Sequence, residues 1–236
     1  MKVYFHYCLY GFTNCYILGT EGNNNQATNS FNLDLVSLPS TNSKHSVSQS
    51  SQAFELKEAI IIDPGCIDEK IIEFIERNEY ALRGIVITHD HLNHVHGLRT
   101  LKKIYDVPIY ALNHEIAEHK TVLIKDGDVI KIGPFTVEVF SVPGHSADSA
   151  VFRIAHLLFT GDALTSGLIG STNSSYGEAL EISSLRSKIL SLPGNYVVLP
   201  GHGPPSTLEA ERRFNTGFEK RQSVTNKGLA FIKEFL

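Results

Sequence analysis

Four histidines fall within eight positions of the stretch THDHLNHVHG, residues 88–97: His89, His91, His94 and His96. Imidazoles at this density point to metal ligation, because a neutral ring nitrogen binds zinc or iron and a nearby carboxylate extends the choice to manganese. His89 and His91 are two residues apart, which puts both side chains on one side of an extended chain. His94 follows three residues later, and a helix starting there would turn it back toward the same pocket. In the middle of the cluster, where a carboxylate would serve, stands the neutral Asn93.

Other metal-capable side chains share one local pattern: an apolar run, a small or turn residue, then the donor. Asp63 follows AIII, His145 follows VPG, Asp162 follows LLFTG and His202 follows VVLPG. Strand ends expose functional groups while the sheet fixes their positions. A single loop histidine is ordinarily a surface or satisfied core residue, and a lone HxHxxH cluster could hold a structural metal. Donors placed repeatedly behind strand–turn units are harder to explain by chance, and such a set could hold two metals about 3.5–4 Å apart. His6, His45, His96, His114, His119 and His156 lack the pattern and are expected to be structural or surface residues.

The elements that must position these groups can be read from periodicity. Residues 3–9 and 13–18 form two short strands around a Gly11 turn. A polar segment follows, an Asn/Ser-rich insertion at about 21–57 in which FNLDLVSL alternates apolar and polar residues. AIIIDPG is a buried strand ending in a turn, and IDEKIIEFIERN puts Ile67, Ile71, Phe74 and Ile75 on one helical face. RGIVITH is a strand leading to His89, LRTLKKIYD a helix and VPIYAL a strand. A small helix is expected around His114–His119. DGDVIKI, FTVEVFSVPGH, SAVFRIA, HLLFTGDA and YVVLPGHG read as strands, with a helix over 177–191. The last thirty residues, TLEAERRFNTGF and NKGLAFIKEFL among them, read as helical. Strands in hairpins beside single helices predict an α+β fold: two mixed sheets packed together with helices outside, in one domain spanning 1–236.

Bulk properties exclude several classes. The chain of 236 residues is 42% hydrophobic and 19% charged, with a formal net charge of −4, so no global basic field attracts nucleic acid or anionic lipid. No apolar run reaches the roughly 20 residues of a membrane helix, and the N-terminal stretch reads as strands rather than a leader. Three cysteines without a CxxC pair argue for a reducing compartment, which makes the cytoplasm the expected location.

The ordered motifs THDHLNH, AIIIDPG, PGHSADS, FTGDA and LPGHGP resemble those of the metallo-β-lactamase-fold hydrolases, and ERRFNTGF resembles the tail of the small glyoxalase II-like branch. The resemblance covers nearly the whole chain apart from the insertion. It implies an αββα sandwich with a metal site at one edge. It assigns His89, His91 and His145 to a first metal, Asp162 to a bridge, and position 93, His94 and His202 to a second metal. Asp63 would orient the ligands from behind.

The family pattern has Asp where this chain has Asn93. An amide oxygen is a weaker ligand than a carboxylate and cannot take a proton from water. Asn93 and Asp162 are therefore the positions expected nearest the reaction. The expectation is one tight Zn2+ site at His89, His91, His145 and Asp162, with a weak or conditionally filled second site; Fe2+ and Mn2+ are the alternatives. The implied reaction is hydrolysis of a thioester or related acyl ester by metal-activated water, with a small-molecule substrate such as a hydroxyacyl-glutathione. The glutathione-binding helical domain of longer relatives does not fit in the thirty residues after the last motif. Two rivals stand beside it: a persulfide dioxygenase-like enzyme with one iron held by two His and one Asp, and a metal-binding sensor that has lost its base. Oligomeric state is not legible.

Overall fold

The computed structural model describes residues 1–21 and 57–218. The core of the expected insertion, with FNLDLVSL, lies outside the described residues, as does NKGLAFIKEFL.

Two six-stranded sheets stack face to face. The first runs Lys2–Cys8, Thr13–Gly19, Lys57–Ile62, Tyr80–Val86, Ile109–Ala111 and Val122–Leu123 in spatial order. Its first three strands are antiparallel neighbours and the rest pair in parallel. The second runs Ser206–Thr207, Val197–Pro200, Leu157–Gly161, Ala150–Ile154, Phe135–Ser141 and Val129–Ile132. Only its Leu157–Gly161 and Val197–Pro200 strands pair in parallel.

Strand alternation explains how the apolar runs fill three cores. In AIII, Ile60 and Ile62 enter the seam between the sheets, where they meet Val137, Phe152, Phe159 and Leu199. Ala59 and Ile61 point the other way, onto the helix side with Ile71, Ile75, Leu98 and Leu101. The second sheet repeats this: Phe152 and Phe159 face the seam, while Val151, Leu158 and Val198 meet Leu185, Ile189 and Leu208. Each sheet buries one face on its partner and the other under helices, giving four layers, helix–sheet–sheet–helix.

The helices carry the expected signals. Asp68 caps Glu69–Arg77 by accepting from the Ile71 N–H at 3.1 Å, and Ile71 and Ile75 are buried, as the 3.6-residue period requires. Ser174 caps Ser175–Ser184 by accepting from the Gly177 N–H, and a π-helical stretch, Leu185–Leu190, continues it. The C-terminal helix is Leu208–Phe214. No helix among the described residues is long and apolar enough to cross a membrane.

One expectation fails. Residues 114–119 are not helical; Glu115–Ile116 pairs antiparallel with His119–Lys120. Ala117 and Glu118 both have positive φ, 46° and 67°, which closes a tight hairpin whose twist matches the strands. Two consecutive left-handed residues are incompatible with a helix.

Candidate metal centre

The donors gather at one edge of the sandwich, in loops that leave the strand ends. The Tyr80–Val86 strand stops before its histidines, so His89 and His91 sit in a following loop rather than in the strand itself. His91 is extended (φ −93°, ψ 138°) and precedes the short helix Leu92–Val95, which turns His94 inward. His145, Asp162 and His202 arrive from the loops after Phe135–Ser141, Leu157–Gly161 and Val197–Pro200.

Two donor groups result. One ligand atom from each of His89, His91, His145 and Asp162 lies within 4.8 Å of all the others, and His94, Asp162 and His202 form a second such group. Asp162 is common to both. Asp90, between His89 and His91, is absent from both and is exposed. His96 is also outside, its ring stacked on Tyr10 at 4.2 Å.

Hydrogen bonds behind the donors fix which nitrogen each presents. Asp63 accepts from the Thr88 N–H at 2.8 Å and from the Thr88 hydroxyl at 2.6 Å. With its proton committed to Asp63, Thr88 Oγ1 is left as the acceptor for His89 Nδ1 at 3.0 Å. His89 therefore carries its proton on Nδ1, and its Nε2 lone pair faces the group. That Nε2 is buried without a hydrogen-bond partner, and burial, then the neighbouring His94, lowers the ring's pKa to about 2. His145 is fixed in the same way: Nδ1 donates to the Ser171 carbonyl at 2.8 Å. Its Nε2 stands 3.0 Å from His91 Nδ1 and 3.6 Å from Asp162 Oδ2. Burial and the His145 ring also hold the His91 pKa down. Neutral imidazole nitrogens and one carboxylate oxygen, converging with an orphaned lone pair among them, suit a divalent cation such as Zn2+ or Fe2+.

The second group is built differently. His94 Nδ1 lies 3.1 Å from Asp63 and Nε2 3.3 Å from Asp162. Burial opposes charge on this ring, but the two carboxylates outweigh it and raise its pKa to about 9. His202 Nδ1 lies 2.7 Å from Asp162 Oδ1, and Nε2 lies 3.1 Å from the Gly11 carbonyl and 3.2 Å from the Asn93 amide. Its bond to Asp162, working against burial, raises its pKa too. Asp162 is buried, which disfavours its charge, yet bonds from His202 and His94 hold its carboxyl well below the usual range. In the first group the buried His89 Nε2 has no hydrogen-bond partner while His145 Nε2 and His91 Nδ1 face each other; in the second, His94 and His202 are each hydrogen-bonded to Asp162.

Several positioning residues were not legible in advance. The Asn14 amide donates to the Pro200 and Gly203 carbonyls at 2.9 and 2.8 Å, and the Tyr16 hydroxyl donates to Pro200 at 2.7 Å. These bonds tie the His202 loop to the second strand. At Gly201 an added Cβ would lie 2.5 Å from Asp162 Oδ1 and from His94 Cε1, so only glycine admits both groups. Gly11 needs its own freedom at φ +68°, and a Cβ there would meet the Asn93 side chain at 2.4 Å.

The sequence profile of the Metallo-beta-lactamase superfamily matches residues 55–202. The chain belongs to this superfamily. Its members are generally metal-binding hydrolases. The hydroxyacylglutathione hydrolase GloC of Haemophilus influenzae is 32% identical over 184 residues, 67% of this chain and 86% of that protein. Among solved structures, the BLEG-1 B3 metallo-beta-lactamase superposes with a TM-score of 0.69 at 25% identity, covering 92% of this chain and 99% of that one. TTHA1623, solved in a di-iron-bound form, gives a TM-score of 0.57 at 27% identity, covering 66% of this chain and 88% of that one.

Proposed function

We propose that the chain hydrolyses a thioester or related acyl ester, with one divalent cation, zinc first, held by His89, His91, His145 and Asp162. The observation that carries this is the orphaned, buried Nε2 of His89 facing the donors of a superfamily of metal-binding hydrolases. The cation would supply Lewis acidity, polarising the acyl carbonyl and bringing the pKa of a coordinated water down to about 7.

The chain's own residues do the rest. Thr88 and Ser171 lock the tautomers of His89 and His145, so that neither ring is free to rotate away. Asp162 keeps a negative charge between the two groups. The His94 and His202 rings, each in contact with Asp162, hold protons where the reaction releases them. In the overall step the oxygen of one water joins the carbonyl carbon, the carbon–sulfur bond breaks, and a proton passes to the departing thiolate. Asn93 cannot accept a proton from that water, so in this proposal the water's acidity would come from the cation and not from a base at position 93. The glutathione thioester processed by a relative such as GloC is the first substrate of this class to assay.

A second reading is oxygenation of a persulfide with one iron held by His89, His145 and Asp162, three donors that lie within one group. Elemental analysis of the purified protein, paired with thioester hydrolysis and oxygen consumption, separates the two. Zinc with thioester cleavage supports the hydrolase, iron with oxygen uptake supports the oxygenase, and bound metal with neither activity contradicts both.

A further inference from the structure

Four of the donor histidines carry a contact away from their group: His89 with Thr88, His145 with the Ser171 carbonyl, His94 with Asp63 and His202 with the Gly11 carbonyl. His91 does not. Among the described residues its ring is hydrogen-bonded only toward His145, whose Nε2 stands 3.0 Å from His91 Nδ1, and the residue is exposed. Its place therefore has to come from the backbone that carries it.

That backbone is anchored one residue earlier. The Asp90 N–H donates to Asp148 Oδ2 at 2.9 Å. The same oxygen accepts from the Asn113 amide at 2.9 Å, and Asp148 Oδ1 accepts from the Ser146 hydroxyl at 2.8 Å. Ser146 directly follows His145. One carboxylate thus joins three loops, those after the strands Tyr80–Val86, Ile109–Ala111 and Phe135–Ser141. The first two strands belong to one sheet and the third to the other. A backbone bond between the same loops, from the Ala150 N–H to the Thr88 carbonyl at 2.9 Å, lies on the His89 side, which leaves Asp148 as the tie beside His91.

An aspartate in a loop commonly bonds residues next to it in the chain, and its bond from Ser146 is of that kind. The bonds from Asp90 and Asn113 are not, since they reach 58 and 35 residues along the chain. Hydrogen bonds to a carboxylate are roughly twice as strong as those between neutral groups. Donors serve an ion only when held within about 0.5 Å of the productive geometry, and here the residue before one donor and the residue after another are bound to a single side chain.

We propose, on the reading of the first group as a metal site, that Asp148 is a positioning residue: by accepting from Asp90, Asn113 and Ser146 it sets His91 in register with His145, and it acts through hydrogen-bond geometry rather than through its charge.

Cobalt(II) serves as the probe, because its visible absorption reports coordination geometry without any turnover. The metal-stripped wild type, Asp148→Ala and Asp148→Asn are titrated with it, with folding checked by circular dichroism. In Asp148→Asn the amide oxygen still accepts from Asp90 and Asn113, and the amide nitrogen donates to the Ser146 hydroxyl. Asp148→Ala is expected to bind the tight ion about 10–100-fold more weakly, with altered band positions and intensities. Asp148→Asn is expected to keep the wild-type affinity and spectrum. Wild-type binding in Asp148→Ala overturns the role, and so does equal weakening in both variants, which would trace the effect to charge. Should Asp148→Ala not fold, Ser146→Ala, which removes the bond to Oδ1, decides: weaker binding with an altered spectrum supports the role, and wild-type binding overturns it. A wild type that takes up no cobalt overturns the metal reading itself and the role of Asp148 with it, whereas an inert Asp148→Ala leaves that reading intact.

Discussion

The Asn93 side-chain amide stands 3.2 Å from His202 Nε2, and the Gly11 carbonyl approaches the same nitrogen at 3.1 Å. Position 93 thus belongs to the His202 side of the centre, where polar atoms already satisfy one another. A neutral amide there adds no charge to draw in a second cation, whereas a carboxylate would. Asn93→Asp is therefore expected to raise the affinity for a second metal ion at least about tenfold. Elemental analysis after dialysis against limiting zinc checks this, and an unchanged metal-to-protein ratio in the variant would count against it.

Asp63 orients two ligands at once, His89 through Thr88 and His94 directly. Removing such a supporting group ordinarily costs about 10–100-fold in metal affinity. Asp63→Asn and Thr88→Val are each expected to weaken zinc binding by an amount in that range, with the fold preserved by circular dichroism. Competition with a chromophoric chelator measures it. Wild-type affinity in both variants would show that the orientation of the rings does not depend on this network.

Asn14 ties the His202 loop to the second strand. In Asn14→Ala the Pro200 carbonyl keeps its bond from Tyr16, but the Gly203 carbonyl loses the Asn14 amide. Each lost hydrogen bond contributes about 0.5–1.5 kcal/mol, and urea unfolding should show a loss of about 1–3 kcal/mol for the two bonds together. Zinc affinity of the first donor group should stay unchanged, since none of its hydrogen-bond partners is Asn14. A variant as stable as the wild type would refute the tie.

Glu181 is buried with neither carboxyl oxygen hydrogen-bonded. Burial first, and then the charges of Glu178 and Asp162, push its pKa from 4.5 to about 8. Between those values the folded chain keeps a proton that the unfolded chain has released, so this group's contribution to stability falls as pH rises. The contribution is whole below about 4.5 and fully lost above about 8. Glu181→Gln cannot ionise. In metal-free protein its Tm should gain on the wild type between pH 5 and 8 by more than about 3 °C, the shift that about 1 kcal/mol produces in a chain of this size. A Tm difference that is flat with pH would contradict this.

Much of this was legible because alternation and turn chemistry are local. AIII announces a strand buried on both faces, and the donor after each apolar run announces a strand tip, since the sheet itself carries these groups to one edge. The hairpin at 115–120 was missed because HEIAEH has a helical composition, while its left-handed pair, Ala117 and Glu118, lacks the Gly or Asn that ordinarily signals such a turn. Asn14 gave no warning either: its partners are 186 and 189 residues away, and no local spacing encodes a contact across that distance. Thr88 had a signal, its place directly before His89, but only the fold shows that its hydroxyl passes the influence of Asp63 to the ring.

The most direct measurement is zinc titration of the metal-stripped wild-type chain, with His89→Ala beside it. The account predicts one tight ion per wild-type chain, a second bound at least about a hundredfold more weakly, and loss of the tight ion in His89→Ala. Two ions of equal affinity, or a tight ion that survives in His89→Ala, would contradict it.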